Sequence, residues 1–178
     1  AWLLSAPVAA QPWDQDDWLD PGPASVSARI DPVRAKMMAE TGGFYPAPIA
    51  ILDCIEFGLP QAFDGAIRSE MAIFAHLIQR PEPRNMIQTL FLGKTDYDRH
   101  IRKESLPAFV GDVVAALRPF ASGWSNPAVR AEADEAIGNW AQSLGAEDQR
   151  LADYAVVSEL GYPAYLGGPF ASRRAAST

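Results

Sequence analysis

A chain of 178 residues with 48% hydrophobic side chains can bury a sizeable core as one ordinary domain or two small ones, so disorder throughout is not expected. A formal net charge of -7 argues against nucleic acid as the main partner, because phosphate backbones are bound through clustered Lys and Arg. Cys54 is the single cysteine, which excludes a disulfide within the chain, and no apolar run approaches the roughly 20 residues of a membrane span. A soluble, cytoplasmic protein is the expectation.

In chain order, AWLLSAPVAA ends in small residues like a secretory leader, yet it has no initiator Met, no basic flank and too short an apolar part. It reads as the end of an interrupted helix. Residues 11–31, rich in Pro, Asp, Gly and Ser, read as a connector anchored by Trp13 and Trp18. Pro32 opens a helix to about Glu40, stopped by Gly42 and Gly43, and Pro48 opens another to about Phe57, stopped by Gly58 and Pro60. Asp64 is the expected N-cap of a third helix, where Ile67, Met71, Phe74, Ala75 and Ile78 recur at helical spacing and are read as core. Cys54, on the apolar side of the second, reads as a buried and inert thiol.

A fourth helix from about Pro83 to Leu92 gathers Met86, Ile87, Leu90 and Phe91, with Gly93 as its stop. TDYDRHIRKES then reads as a charged linker or fraying extension. Pro107 begins a helix with Phe109, Val113, Ala116, Leu117 and Phe120 inward, closed by Trp124. Asn126 and Pro127 start a long helix ending at Gly145, and the last helix runs from about Glu147 to Leu160. With no alternating strands and no internal repeat, the class is all-α: two small helical units joined by the charged linker.

The chain offers few of the usual chemical constellations. His76 and His100 are the only histidines and do not stand at metal spacing; no GxSxG, phosphate-binding glycine loop or GxGxxG is present. His76 reads as a hydrogen-bonded or solvent-facing side chain on a packing helix. Lys94, Arg99, His100, Arg102 and Lys103 form a local basic cluster in an acidic chain, either a phosphate-binding patch or, the preferred reading from spacing alone, a solvated face.

The segments AWLLSAPVAAQPWDQ, GGFYPAPIAILDCIEFGL, FDGAIRSEMAIF and RNMIQTLFLGK, over roughly the first half of the chain, resemble the C-terminal part of the crotonase-like hydratase module in bifunctional enoyl-CoA hydratase/3-hydroxyacyl-CoA dehydrogenases of fatty acid β-oxidation. At the other end, ADYAVVSELGYPAYLGGPF resembles the segment near the C-terminal helical domain of the dehydrogenase module. Gly161, Tyr162, Pro163, Gly167, Gly168 and Pro169 carry that second match and read as a rigid structural corner where backbone approaches a neighbour closely.

The resemblance implies residues 1–100 as the helical end of a hydratase module and 101–178 as a helical unit ending in GYPAYLGGP. It implies a coenzyme A thioester as ligand, with Phe91 and Lys94 matching the family's Phe and Lys, spaced by three, that approach the adenine ring and phosphates. For Phe91, core packing is an equal alternative. The elements that carry the family's two glutamates and oxyanion hole precede this region, and neither a Rossmann loop nor the catalytic His-Glu pair lies between the two blocks. NAD therefore enters only if the parent protein has a Rossmann domain elsewhere. The expectation is an excised piece or a partner-dependent subunit, not catalytic alone, which contacts acyl-CoA and the remaining domains or subunits of the parent enzyme. A non-enzymatic helical interaction module is the alternative.

Overall fold

The computed structural model describes residues 22–176, so the readings of AWLLSAPVAA, Trp13 and Trp18 lie outside the described residues. Every regular element among the described residues is helical, as the sequence indicates. The order is α1 (Pro23–Thr41), α2 (Pro46–Gly58), α3 (Phe63–Leu77), α4 (Pro81–Met86), a π-helical turn (Ile87–Gly93), α5 (Lys94–Arg102) and α6 (Ala108–Leu117). A 3-10 stretch (Arg118–Gly123) leads to α7 (Pro127–Ala136), α8 (Gly138–Ser143), α9 (Ala146–Leu160), a 3-10 turn (Ala164–Leu166) and α10 (Pro169–Ala176).

The main core is built around α9, which is buried on most of its circumference. Leu151, Ala152, Ala155, Val156 and Leu160 meet Val110, Val113, Val114 and Leu117 of α6, with Trp124, Ile137, Tyr162 and Phe170 filling the rest. Trp124 does close this unit, its indole N–H donating to the Leu160 carbonyl at 2.9 Å. Asn126 is the N-cap of α7, its side chain accepting from the Ala128 amide at 3.0 Å. A smaller cluster of Val26, Ile30 and Leu52 joins α1 to α2.

Four departures from the sequence reading have identifiable causes. First, α1 begins at Pro23 and carries Pro32 in its interior. Burial of Val26 and Ile30 against Leu52, with a Ser27–Glu56 hydrogen bond of 2.6 Å, offsets the backbone donor that Pro32 lacks. Second, the expected single helix from Asn126 to Gly145 breaks at Ile137, whose side chain is fully buried and whose backbone leaves the helical region just before Gly138.

Third, the charged stretch is not a linker. Gly93 has a helical φ of -60° and the chain continues straight into α5. Asp96 is buried there, accepting from Arg150 Nε at 3.0 Å and Nη2 at 2.5 Å and from Arg99 at 3.1 Å. Its main partner lies 54 residues on, which a local reading of charge cannot detect. Fourth, the α3 stripe is not core. Ile67, Met71, Phe74 and Ile78 are 39%, 65%, 60% and 56% exposed, although α3 packs along α2. Helical periodicity shows that a face is apolar; it does not show that this chain supplies the cover. The cap expected at Asp64 is also absent, α3 beginning one residue earlier at Phe63 without a side-chain cap.

Candidate functional site

The residues singled out for coenzyme A lie where α4 passes through the π-helical turn into α5. A π-turn carries one more residue than an α-turn, is rare, and needs outside support. Three contacts from the second half of the chain supply it. The buried Thr89 hydroxyl donates to the Gly167 carbonyl at 2.6 Å, and Asn85 Nδ2 donates to the Tyr165 carbonyl at 3.0 Å. Gly93 sits so close to α9 that an added Cβ would lie 3.0 Å from both the Arg150 carbonyl and the Tyr154 Cβ. Glycine is required there for close approach, not as a helix stop.

Thr89 and Gly93 therefore face inward, and Phe91 between them faces out. Phe91 is 67% exposed, which corrects the core-packing alternative for this side chain. Ile87 and Leu90 are exposed as well, at 55% and 43%, so the expected apolar gathering on this helix is a surface. Lys94, at the start of α5, is exposed too; its ammonium pairs with Asp98 at 2.5 Å, and this hydrogen bond holds its pKa above the ordinary lysine value.

Of the rest of the basic cluster, one side chain is in an ion pair. Arg99 pairs with Asp96, and His100 Nδ1 lies 3.1 Å from the Ser105 carbonyl, while Arg102 and Lys103 are exposed. An anionic ligand would thus find Lys94 only by competing with Asp98. His76 is exposed at the end of α3, on the rim of a 570 Å³ open cavity between α1, α2 and α3 whose walls include Met38, Ile49, Ile73 and Leu77. Cys54 is half-buried, and burial pushes its thiol pKa up, which keeps it protonated and unreactive at neutral pH. Among the described residues no cluster of His, Cys, Asp and Glu could hold a metal ion, and no helix is long and apolar enough to cross a membrane.

The GYPAYLGGP corner is the piece that ties both halves together. Tyr165 stacks on Phe44 with ring centroids 4.8 Å apart and planes 3° apart, and meets Tyr45 edge-on at 5.6 Å. Phe44 and Tyr45 belong to the GGFYPAP stretch, so the two segments with a common family resemblance touch in space. Gly167 and Gly168 have φ of 82° and 100°, a left-handed backbone that favours glycine. Just beyond, the buried Asp153 accepts from the Phe170 and Ala171 amides at 2.8 and 3.1 Å, satisfying the first turn of α10 from across the core. Thr89, Asn85, Tyr165 and Asp153 escaped the sequence reading; the double glycine before Pro169 was the one local sign that something passes close by.

Comparison with known proteins gives a limited but concordant result. The chain is 26% identical over 78 residues to the fatty acid oxidation complex subunit alpha of Shewanella amazonensis, an alignment covering 44% of this chain and 11% of that subunit. The chain thus spans a small fraction of the length of that subunit. No family model matches the chain, and no solved structure matches it. This similarity supports a loose link to the enzymes of fatty acid oxidation.

Proposed function

We propose that these residues form the C-terminal region of an acyl-CoA hydratase/3-hydroxyacyl-CoA dehydrogenase-like protein of fatty acid β-oxidation, where they complete the acyl-CoA site and provide interdomain contacts. The observation that carries the reading is the outward presentation of Phe91 on a turn held in place from the opposite half of the chain, with the exposed Lys94 three positions on at the start of α5. An exposed aromatic face suits an adenine ring, and a neighbouring ammonium suits a phosphate. The residues present fit coenzyme A in donor chemistry; NAD would belong to a Rossmann domain elsewhere in the parent.

The chain alone is not expected to hydrate crotonyl-CoA, and turnover well above background by the purified chain would contradict this. Calorimetric titration with coenzyme A tests the binding role. Phe91→Ala should weaken binding about tenfold, the scale of one base-aromatic stack. Lys94→Ala should weaken it several-fold through loss of a phosphate contact, and an unchanged affinity in both variants would count against the site.

A second reading, a helical interaction module with no coenzyme A site, is favoured by the exposed α3 stripe of Ile67, Met71, Phe74 and Ile78. Large apolar patches on soluble proteins mark surfaces that meet another body. In the first reading that body is the remainder of the parent enzyme. Failure of coenzyme A to bind even when the upstream region of the parent is restored would favour the second.

A further inference from the structure

We infer that Thr89 is a positioning residue for the Phe91–Lys94 face, acting through the π-turn it anchors to the GYPAYLGGP corner. The inference rests on the coenzyme A reading above but concerns a different residue, one that touches no ligand. Thr89 is 1% exposed, and its hydroxyl donates to Gly167 at 2.6 Å across 78 residues of sequence. Four positions on, Gly93 is pinned against α9 by the Arg150 carbonyl and the Tyr154 side chain. Phe91 lies midway between these two inward anchors.

Each residue of an α-helix turns the chain by about 100°, so removal or addition of one residue in a turn rotates whatever follows by that amount. The register of α5 is fixed independently, by Asp96 on Arg150. If the Thr89 anchor is lost, the π pairing of the segment from Ile87 to Gly93 loses its buried support and the Phe91 backbone is free to move, while Lys94 stays where α5 holds it. Phe91 then changes its direction relative to Lys94. The Lys94 amide records the present arrangement, donating to both the Phe91 and Thr89 carbonyls. A side-chain hydroxyl without a ligand contact would in this way set the spacing between an aromatic face and a cation.

The test uses the full 178-residue chain. Thr89→Val removes the donor at nearly constant volume, Thr89→Ser keeps it, and Trp124→Phe deletes the 2.9 Å Trp124–Leu160 hydrogen bond as a stability control remote in sequence. Calorimetric titration of coenzyme A should show about tenfold weaker binding for Thr89→Val, the effect of one buried hydrogen bond of ordinary strength. Thr89→Ser and Trp124→Phe should stay within about twofold of the wild type. A ligand-free readout, amide hydrogen exchange by NMR, should show the Phe91 to Lys94 amides opening about tenfold faster in Thr89→Val, with the α6 amides unchanged. Unchanged exchange in this segment overturns the inference whatever coenzyme A does. Wild-type affinity in Thr89→Val overturns it also, provided the wild type binds. Absence of binding by the wild type counts against the coenzyme A reading instead, and the exchange result then decides the role of Thr89.

Discussion

At the scale of single residues, Asp153 is the most consequential side chain in the main core. Burial pushes its carboxyl well above the ordinary aspartate range, against the opposing pull of the Phe170 and Ala171 amides and the Arg174 guanidinium. Such a group binds its proton more tightly in the folded chain, so its contribution is full in acid and is lost as pH rises from the unfolded value of about 3.9 through the folded one. Glu56 and Glu82 act in the other direction, lowered chiefly by hydrogen bonds from Ser27 and Arg80 respectively. Their contributions are present above about pH 4.3 and vanish as pH falls through their lowered values. Above about pH 5, then, the urea midpoint should decline with rising pH, and Asp153→Asn should remove that slope. Asp153→Ala, which orphans the buried Phe170 amide and the half-buried Ala171 amide, should cost about 3 kcal/mol in urea unfolding. Gly168→Ala should cost at least about 3 kcal/mol, since its Cβ would lie 2.5 Å from Asp153 at a φ of 100°. The glycine pair was legible as a corner needing close approach, whereas the carboxylate that it accommodates, 15 positions away on another helix, carried no local signal.

At the scale of elements, punctuation was legible at some residues and not at others: Gly42 follows the end of α1 and Gly58 ends α2, whereas Pro32 lies inside α1 and Gly93 leads straight into α5. Pro107, Asn126 and the end of α9 at Leu160 follow local chemistry, so the sequence and the structure agree there. The basic side chains Lys94, Arg99 and Arg102 of α5 are exposed, as expected of a solvated face, whereas the burial of Asp96 and the exposure of the α3 stripe were not legible, for one reason. Exposure depends on what packs against an element, and those partners are remote in sequence or not within the described residues. This has a measurable consequence at α5, where Asp98 occupies Lys94. Asp98→Ala should free the ammonium and tighten coenzyme A binding by about two- to fivefold at low salt, with the gain diminishing as salt is raised. At α3, Met71→Glu with Phe74→Glu should change stability by no more than about 0.5 kcal/mol per site, as expected of exposed positions. The same pair should reduce association with the upstream region of the parent if the stripe is a contact surface.

At the scale of the whole molecule, the all-helical class was legible from punctuation and periodicity, whereas the contacts between the two halves of the chain were not. The π-turn, α4 and α5 pack on α9 and the Tyr165 corner, so the segments that resemble a hydratase end and a dehydrogenase end share contacts. That arrangement supports the turn on which Phe91 is exposed and the helix that begins at the exposed Lys94. Their common role in binding is the central claim, and one titration tests it most directly: coenzyme A into the wild-type chain and into a Phe91→Ala, Lys94→Ala double variant that keeps the wild-type unfolding midpoint. The expected result is saturable binding by the wild type and at least about tenfold weaker binding by the double variant. Equal affinity in the two proteins would contradict the account.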